Sequence, residues 1–167
     1  MTHIIKPAIG ILILGIIAAL IFNSVQGQQG LPDKTFTDLD GNTHSLQDYK
    51  GKPVLVILWA TDCPACVQEL PELKAIYKEY VPKGLEVISV ALAHDKPEHL
   101  LAMRIEKQIP YTITWDKTGE LANAFSNVRV TPTHFLSSAE GDVVIRKIGS
   151  VSKAMLSEKL SSMGPVS

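Results

Sequence analysis

The residues best suited to chemistry are two cysteines, which stand three positions apart in the segment Cys63-Pro64-Ala65-Cys66 and are the only cysteines of the chain. Two thiols at this spacing on the first turn of a helix can close into a disulfide and open again. Free N–H groups and the helix dipole stabilise a thiolate there and lower its pKa below the ~8.5 of a free cysteine. We therefore predict that Cys63 is the attacking thiol. Cys66 is predicted to be the less exposed, resolving thiol, which attacks the mixed disulfide between Cys63 and a client protein.

Two other uses of the same cysteines fit the sequence. One alternative is a purely structural disulfide, although so short a loop constrains the unfolded chain little and adds little stability. The other is a metal site, because Cys-x-x-Cys with a histidine such as His94 or His134 is a metal-ligand pattern. The chain has no second cysteine pair. We therefore expect chemistry by the two thiols, without a bound metal or another cofactor.

Glu69 is the third candidate for a chemical role. It lies three residues after Cys66, so on a helix it is one turn further along and near the same face. A carboxylate on this otherwise apolar stripe would be desolvated, which would raise its pKa and suit it to exchange a proton with Cys66. A solvated glutamate on the outer surface of the helix is the alternative.

The elements that position these side chains follow from hydrophobic periodicity. Residues 54–59 form a continuous apolar run, typical of a strand covered on both faces, and we expect this strand to be central. After Cys63, apolar residues recur with a 4-3-4-3 spacing up to Tyr80, which predicts an amphipathic helix that ends near Gly84 and is kinked at Pro71. The cysteines therefore lie where the first long strand turns into the first long helix.

Strands and helices alternate along the rest of the chain. An Asp-Gly turn at Asp40-Gly41 predicts an N-terminal β-hairpin over 36–45. The series ends in a second hairpin and a helix, which indicates a mixed α/β sheet with helices on both faces. The predicted strands are 85–91, 111–115, 133–137 and 143–148, and the predicted helices are 97–107, 119–125 and 152–163.

Length and charge limit the classes of protein to which the chain can belong. Its 167 residues are enough for one domain with a hydrophobic core and too few to expect two. Lys and Arg total 16 against 17 Asp and Glu, without a basic or acidic block, so we expect no nucleic-acid partner. The charged residues of 94–98 are expected to lie on the surface.

An apolar segment precedes the domain. Residues 7–22 are all apolar, glycine or proline, so we predict a transmembrane anchor over 7–24. Lys6 lies on the short N-terminal side, and the positive-inside rule then places residues 1–6 in the cytoplasm. An uncleaved signal sequence would serve as the same anchor. A cleaved signal peptide, with a poor small-residue cleavage site at Val25-Gln26-Gly27, is the alternative.

The rest of the chain is predicted to lie outside the cytoplasm. Residues 25–32 are polar and aperiodic, which indicates a flexible linker, and 33–165 are predicted to form the domain. A single-pass protein of the bacterial inner membrane, with its domain in the periplasm, would sit in a compartment where disulfides form.

Three motifs, in this order along the chain, carry a resemblance to a known family. They are WATDCPAC at 59–66, Glu69-Leu70-Pro71, and Val130-Thr131-Pro132-Thr133. Together they resemble the TlpA/ResA/CcmG-type membrane-anchored thioredoxins over roughly residues 33–160. The resemblance implies a thioredoxin fold with an N-terminal hairpin and with an extra strand and helix inserted in the middle, which fits the segment 85–115.

The resemblance also implies roles for three residues. Pro132 would follow a cis peptide bond, and a Thr-Pro pair that opens a strand, where the ladder must break, is a usual place for one. A trans proline on an edge strand is the alternative. The backbone of Thr131 would face the cysteines and pair with the backbone of a client. Members of the family carry a glutamate at the position of Glu69 as a proton shuttle.

Two residues depart from the usual pattern. Asp62 stands where many thioredoxins have an aromatic residue, and its carboxylate either caps the helix or opposes the Cys63 thiolate. At an effective dielectric of ~20, a like charge at ~6 Å costs on the order of 2–3 kcal/mol before screening. We therefore expect Asp62, together with Pro64 and Ala65, to tune the couple, with Asp62 making it more reducing. His134, two residues after the expected cis proline, either points at the cysteines and stabilises thiolate or faces elsewhere.

The sequence as a whole predicts a membrane-tethered dithiol reductant. Its dithiol would reduce disulfides of client proteins, for example in cytochrome c maturation, and a membrane protein with its own thiols would return the electrons. A disulfide oxidant or isomerase is the nearest rival, and the reduction potential separates the two. A copper-binding assembly module and a thiol peroxidase are more distant rivals. The cysteine spacing of copper modules is longer, and a peroxidase threonine would stand one residue earlier than Thr61.

Overall fold

The structure of the protein is a computed structural model that describes residues 15–16 and 30–164. The chain divides after Gly30 into two units, and Leu31–Ser167 contains every element named below. In the first unit Gly15 and Ile16 are helical. The predicted anchor over 7–24 lies outside the described residues except for Gly15 and Ile16, and so do residues 25–29 of the predicted linker over 25–32. Within the described part, no helix is both long enough and apolar enough to cross a membrane.

The central strand is β3, Val54–Trp59, and all six of its side chains are buried. Successive side chains of a strand point to opposite faces, so β3 contributes three residues to each of two apolar clusters. This explains why the sequence reads as an unbroken apolar run. The prediction of a central strand covered on both faces is confirmed.

Four further strands complete the main sheet. They are β4 Glu86–Ala91, β5 Thr112–Trp115, β6 Thr133–Ser137 and β7 Val143–Ile148. The order across the sheet is β5-β4-β3-β6-β7. Strands β3, β4 and β5 run parallel, whereas β6 is antiparallel to both β3 and β7. The predicted mixed sheet, with a C-terminal hairpin, is confirmed.

Four helices flank the sheet. They are α1 Pro64–Tyr80, which a 3₁₀ turn at Val81–Lys83 extends, α2 Pro97–Glu106, α3 Glu120–Ala124 and α4 Lys153–Ser162. Each lies within about two residues of a predicted helix, which is the usual uncertainty of helix ends. Pro71 lies inside α1. Gly84 follows the 3₁₀ turn with φ +98°, a left-handed conformation that glycine adopts without a steric penalty.

Helices cover both faces of the sheet. Leu73 and Ile76 of α1 and Leu156 of α4 share one cluster with Ile57. On the opposite face, Phe125 beside α3 packs with Phe36, Leu46 and Val56. Each fully buried leucine, isoleucine or phenylalanine stabilises the fold by about 1.5–3 kcal/mol relative to leaving it exposed. The buried residues around the cysteines, described below, therefore lie between α1 and the centre of the sheet.

The N-terminal hairpin consists of β1, Thr35–Thr37, and β2, Thr43–Ser45, paired antiparallel. Gly41 in the turn has φ +87°. The Asp38 carboxylate accepts the backbone N–H groups of Asp40 and Asn42 at 2.9 and 2.8 Å, which fixes the turn. The predicted hairpin is confirmed.

The hairpin covers the edge of the main sheet at β5. Asp38 forms an isolated antiparallel bridge with Thr114, and the Leu39 N–H donates to the Ile113 carbonyl at 2.9 Å. The Thr114 hydroxyl also donates to the Thr37 carbonyl at 2.7 Å. Backbone groups of the edge strand that would otherwise face solvent are thus paired with the hairpin.

Asp38→Asn tests the polar network of the hairpin. Burial alone would raise the pKa of the Asp38 carboxyl, but hydrogen bonds from His44, Asn42 and the backbone outweigh it and lower the pKa to about 2. Because the ordinary value is 3.8, Asp38 stabilises the fold above about pH 4, and this contribution is lost as the pH falls toward 2. The shift is worth ~2 kcal/mol, which solvent screening at the surface reduces to ~1 kcal/mol. We expect the variant to be destabilised by ~1 kcal/mol at pH 7 and by almost nothing at pH 2, measured by urea unfolding.

Asp33→Asn is the matched control, because Asp33 is an exposed acid just before the same hairpin. Its unfolding free energy should change by less than ~0.5 kcal/mol at either pH. An equal loss of stability in Asp38→Asn at pH 7 and pH 2 would show that the network acts by packing, without a contribution from charge.

Candidate active site

The two cysteines are joined by a disulfide at the start of α1. Cys63 is the N-cap residue, and its sulfur accepts the backbone N–H of Cys66 at 3.2 Å. Pro64 occupies the first turn, where its missing N–H breaks no helical hydrogen bond. The position predicted for the cysteines, between the central strand and the first long helix, is confirmed. In the reduced protein, the same N–H would stabilise a Cys63 thiolate.

The two sulfur-bearing residues differ in exposure. Cys66 is 1% exposed and belongs to the core beneath α1, whereas Cys63 is only partly buried. A client disulfide can therefore reach the Cys63 sulfur more readily than the Cys66 sulfur. This asymmetry is the one expected of an attacking and a resolving thiol.

Glu69 faces the core, and the solvated alternative is wrong. The residue is 4% exposed. Its Oε1 lies 2.9 Å from His134 Nε2, and its Oε2 accepts the Val151 N–H at 3.3 Å. Both carboxylate oxygens are therefore held from outside α1, one by β6 and one by the segment before α4.

His134 points beneath α1. Strand alternation places it on the same face as Leu136, which belongs to the cluster under α1, and opposite to Phe135. The side chain is fully buried, and its Nδ1 has no hydrogen-bond partner among the described residues. The sequence left open whether His134 points at the cysteines or faces elsewhere. In the structure its Nε2 contacts Glu69, which lines a small cavity together with Cys66.

A small cavity joins the resolving thiol to the carboxylate. Its volume is about 10 Å³, close to the minimum for one water molecule, and its lining includes Cys66, Glu69, Ser89 and Tyr111. Burial raises the pKa of the Tyr111 phenol, and the negative charge of Glu69 raises it further. Tyr111 therefore remains a neutral hydroxyl, and among the described residues Glu69 is the only carboxyl group that lines this cavity.

The Thr131–Pro132 peptide bond is cis, so the trans alternative is wrong. Pro132 is buried, and its carbonyl accepts the Gly149 N–H at 2.8 Å. Thr133, the next residue, pairs with Leu58 near the end of β3. The loop before the cis proline therefore lies beside the strand end that leads to the cysteines, with Val130 55% exposed.

Asp62 lies on the surface beside the disulfide. Its side chain is 74% exposed, and its Oδ1 lies 3.2 Å from His94 Nε2. Because Cys63 is the N-cap residue, the alternative in which Asp62 caps the helix is wrong. Asp62 is next to Cys63 in the chain, and solvent screens its carboxylate.

Asp95 is a site residue that the sequence analysis missed, and its assignment to the surface was wrong. It is 5% exposed. Its carboxylate accepts the Thr61 N–H at 2.7 Å, the Thr61 hydroxyl at 2.8 Å and the Lys96 N–H at 2.8 Å. Asp95 thus ties the loop before Cys63 to the loop after β4. An acid just before Lys96-Pro97, at a helix start, was the available signal for such backbone contacts.

The two candidate metal-binding histidines contact different carboxylates: His94 contacts Asp62, and His134 contacts Glu69. Among residues 15–16 and 30–164, no group of three or more His, Cys, Asp or Glu side chains could hold a metal ion.

Comparison with known proteins agrees with this site. Residues 28–146, more than half of the chain, match the family model described as the AhpC/TSA family. This chain belongs to the AhpC/TSA family. A Geobacillus kaustophilus relative named thiol-disulfide oxidoreductase ResA is 32% identical over 139 residues, covering 80% of this chain and 76% of the relative. The thioredoxin-like protein YneN of Bacillus subtilis is 35% identical over 136 residues, covering 81% and 78%.

A solved structure supports the same assignment. The crystal structure of a thiol:disulfide interchange protein of the thioredoxin family from Chlorobium tepidum superposes with a TM-score of 0.74 at 25% identity, covering 82% of this chain and 97% of that one. The predicted thioredoxin-like fold and the resemblance to ResA-type proteins are confirmed. This AhpC/TSA protein is a thiol-disulfide oxidoreductase, and its family implies clients that carry disulfides.

Asp95→Ala should destabilise the fold, because it leaves the two N–H groups and the Thr61 hydroxyl without their acceptor. We expect a loss of ~2–3 kcal/mol in the free energy of urea unfolding, with ~1 kcal/mol for Asp95→Asn, which keeps one carbonyl acceptor. Asp33→Ala, at an exposed acid, is the control and should change stability by less than ~0.5 kcal/mol. A loss in Asp95→Ala no larger than in the control would show that the Thr61 contacts do not hold the loop.

Proposed function

We propose that this protein reduces disulfides of client proteins outside the cytoplasm through the Cys63/Cys66 dithiol. The observation that carries the proposal is the asymmetry of the pair: Cys63 is only partly buried and its sulfur accepts a hydrogen bond from a helix N–H, whereas Cys66 is buried beside Glu69. The first thiol is arranged to attack a client, and the second is arranged to end the reaction.

The reaction takes two steps. The Cys63 thiolate attacks one sulfur of a client disulfide, forms a mixed disulfide and expels the other client sulfur as a thiolate. The Cys66 thiol then gives its proton to Glu69, and its sulfur attacks Cys63. The Cys63–client bond breaks, the client leaves with both sulfurs reduced, and the Cys63–Cys66 disulfide forms. Two electrons pass from the dithiol to the client.

The client backbone is proposed to lie along the cis-proline loop. Thr131 is partly exposed, and the register of β6 on β3 brings its loop beside the strand end that leads to Cys63. A surface groove of about 400 Å³ is lined by both His94, the partner of Asp62, and Arg129, which stands two residues before Thr131. An extended client segment bound at Thr131 would have room there for flanking side chains.

The location and the electron donor are also proposals. They are supported by the apolar segment 7–22, which directly follows Lys6, and by the resemblance to membrane-anchored thioredoxins. We propose a single-pass anchor over 7–24 in the bacterial inner membrane, a domain in the periplasm, and a membrane protein with its own dithiol as reductant of the Cys63–Cys66 disulfide. Proteins of cytochrome c maturation are the proposed example of clients.

The reduction potential tests the direction of electron flow. The full chain in detergent is equilibrated against dithiothreitol and glutathione buffers, and the reduced fraction is read by thiol alkylation and mass spectrometry. We expect a potential below about −220 mV, in the range of cellular dithiol reductants. A potential above about −180 mV, near that of disulfide isomerases and oxidants, would contradict the reductive direction and leave the cysteine roles standing. Cys66→Ser, which forms no internal disulfide, is the control.

Asp62→Asn tests the proposed tuning by a neighbouring charge. The Asp62 carboxylate opposes the Cys63 thiolate and so makes the couple more reducing, but its exposure and its contact with His94 weaken the effect. We expect the variant to raise the reduction potential by only about 10 mV, far below the ~45–65 mV of an unscreened charge. A rise above about 40 mV would show that Asp62 lies much closer to the thiolate in the reduced protein, and a fall would contradict the sign.

A further inference from the structure

We propose that His134 is a positioning residue that holds the Glu69 carboxylate in the orientation that receives the Cys66 proton. The inference rests on the proposed function and deepens its second step. His134 Nε2 lies 2.9 Å from Glu69 Oε1, and the two side chains are 0% and 3% exposed. Both side chains are shielded from bulk solvent, so the contact restricts where the carboxylate points.

The carboxylate of Glu69 is held at both oxygens. His134 of β6 contacts Oε1, and the Val151 N–H contacts Oε2 at 3.3 Å. A glutamate side chain has three rotatable bonds, and these two contacts restrict them. Each oxygen can accept a further hydrogen bond, so the clamped group can still take a proton from the side of the cavity that it shares with Cys66.

The surroundings of His134 favour a role as hydrogen-bond donor to Glu69 over a role as acceptor of the Cys66 proton. Its Nδ1 is buried and has no hydrogen-bond partner among the described residues. An imidazolium carries a proton on both nitrogens and would leave a buried N–H donor unpaired at this position. The neutral tautomer with its proton on Nε2 leaves only an unpaired hydrogen-bond acceptor at Nδ1. His134 therefore donates Nε2–H to Glu69 throughout, and the proton released by Cys66 goes to the carboxylate.

A two-phase reaction separates the two thiols. Reduced full-length protein is mixed with 5,5′-dithiobis(2-nitrobenzoate), and the release of the coloured thiolate is followed. Cys63 attacks the reagent and releases the first thiolate at a rate proportional to reagent concentration. Cys66 then gives up its proton, its sulfur displaces the second thiolate from Cys63, and the internal disulfide forms. This second phase is independent of reagent concentration and reports the step that involves Glu69.

Two amides of similar size form the matched pair of variants. The amide nitrogen of glutamine can occupy the place of His134 Nε2 and donate to Glu69, whereas the shorter asparagine reaches only the place of Nδ1. We expect His134→Asn to slow the second phase about 10-fold and His134→Gln to stay within about 3-fold of wild type. The first phase should stay within about 2-fold in both variants, and far-ultraviolet circular dichroism checks separately that both are folded.

A double variant tests whether His134 acts through Glu69. Glu69→Gln should slow the second phase about 100-fold, and adding His134→Asn should slow it no further. Independent, multiplying effects would overturn the inference, as would equal second-phase rates in His134→Asn and His134→Gln. An unchanged second phase in Glu69→Gln would overturn the proton step of the proposed function itself. A wild-type reaction without the first phase would overturn the proposed role of Cys63 as the attacking thiol.

Discussion

The backbone N–H groups at the start of α1 have no acceptor inside the helix, and the active site is built on that constraint. At most helix starts, a hydroxyl or carboxylate supplies the missing acceptor. Here the Cys63 sulfur does so, through the Cys66 N–H. The same hydrogen bond that satisfies the helix would favour the charged form of the nucleophile. Strand β3 carries the chain to this point, and Asp95 holds Thr61 in the intervening loop.

The polar contact beneath α1 connects parts of the chain that are far apart in sequence. Glu69 is 65 positions from His134 and 82 from Val151, and it bonds to both. A buried charged or polar pair contributes little net stability, because desolvation offsets the attraction between its members. An apolar pair of similar volume would pack at least as well. The pair in the core therefore fits the proposed role of Glu69 as the acceptor of the Cys66 proton.

Much of the fold could be predicted because its signals are local. The apolar run of β3 and the Asp-Gly turn each specify one element without reference to the rest of the chain. The position of the cysteines at a helix start was predicted in the same way. The contact between Glu69 and His134 could not be predicted, although each lies on a recognisable face, because it depends on β6 lying beside β3 under α1. Asp95 was missed for a related reason, since its partner Thr61 lies in a different loop.

The hairpin that covers β5 removes one surface to which an extended client chain could bind. An exposed sheet edge offers a row of unpaired N–H and C=O groups, to which any extended chain can add as a further strand. A client that arrives partly unfolded, with its own backbone unpaired, would bind such an edge without bringing a disulfide to Cys63. The bridge between Asp38 and Thr114 occupies that edge, and Arg146 and Lys147 place exposed charges on β7 at the other. Unproductive strand addition at these two edges is disfavoured, so fewer sites would compete with the proposed client site at the loop beside Pro132.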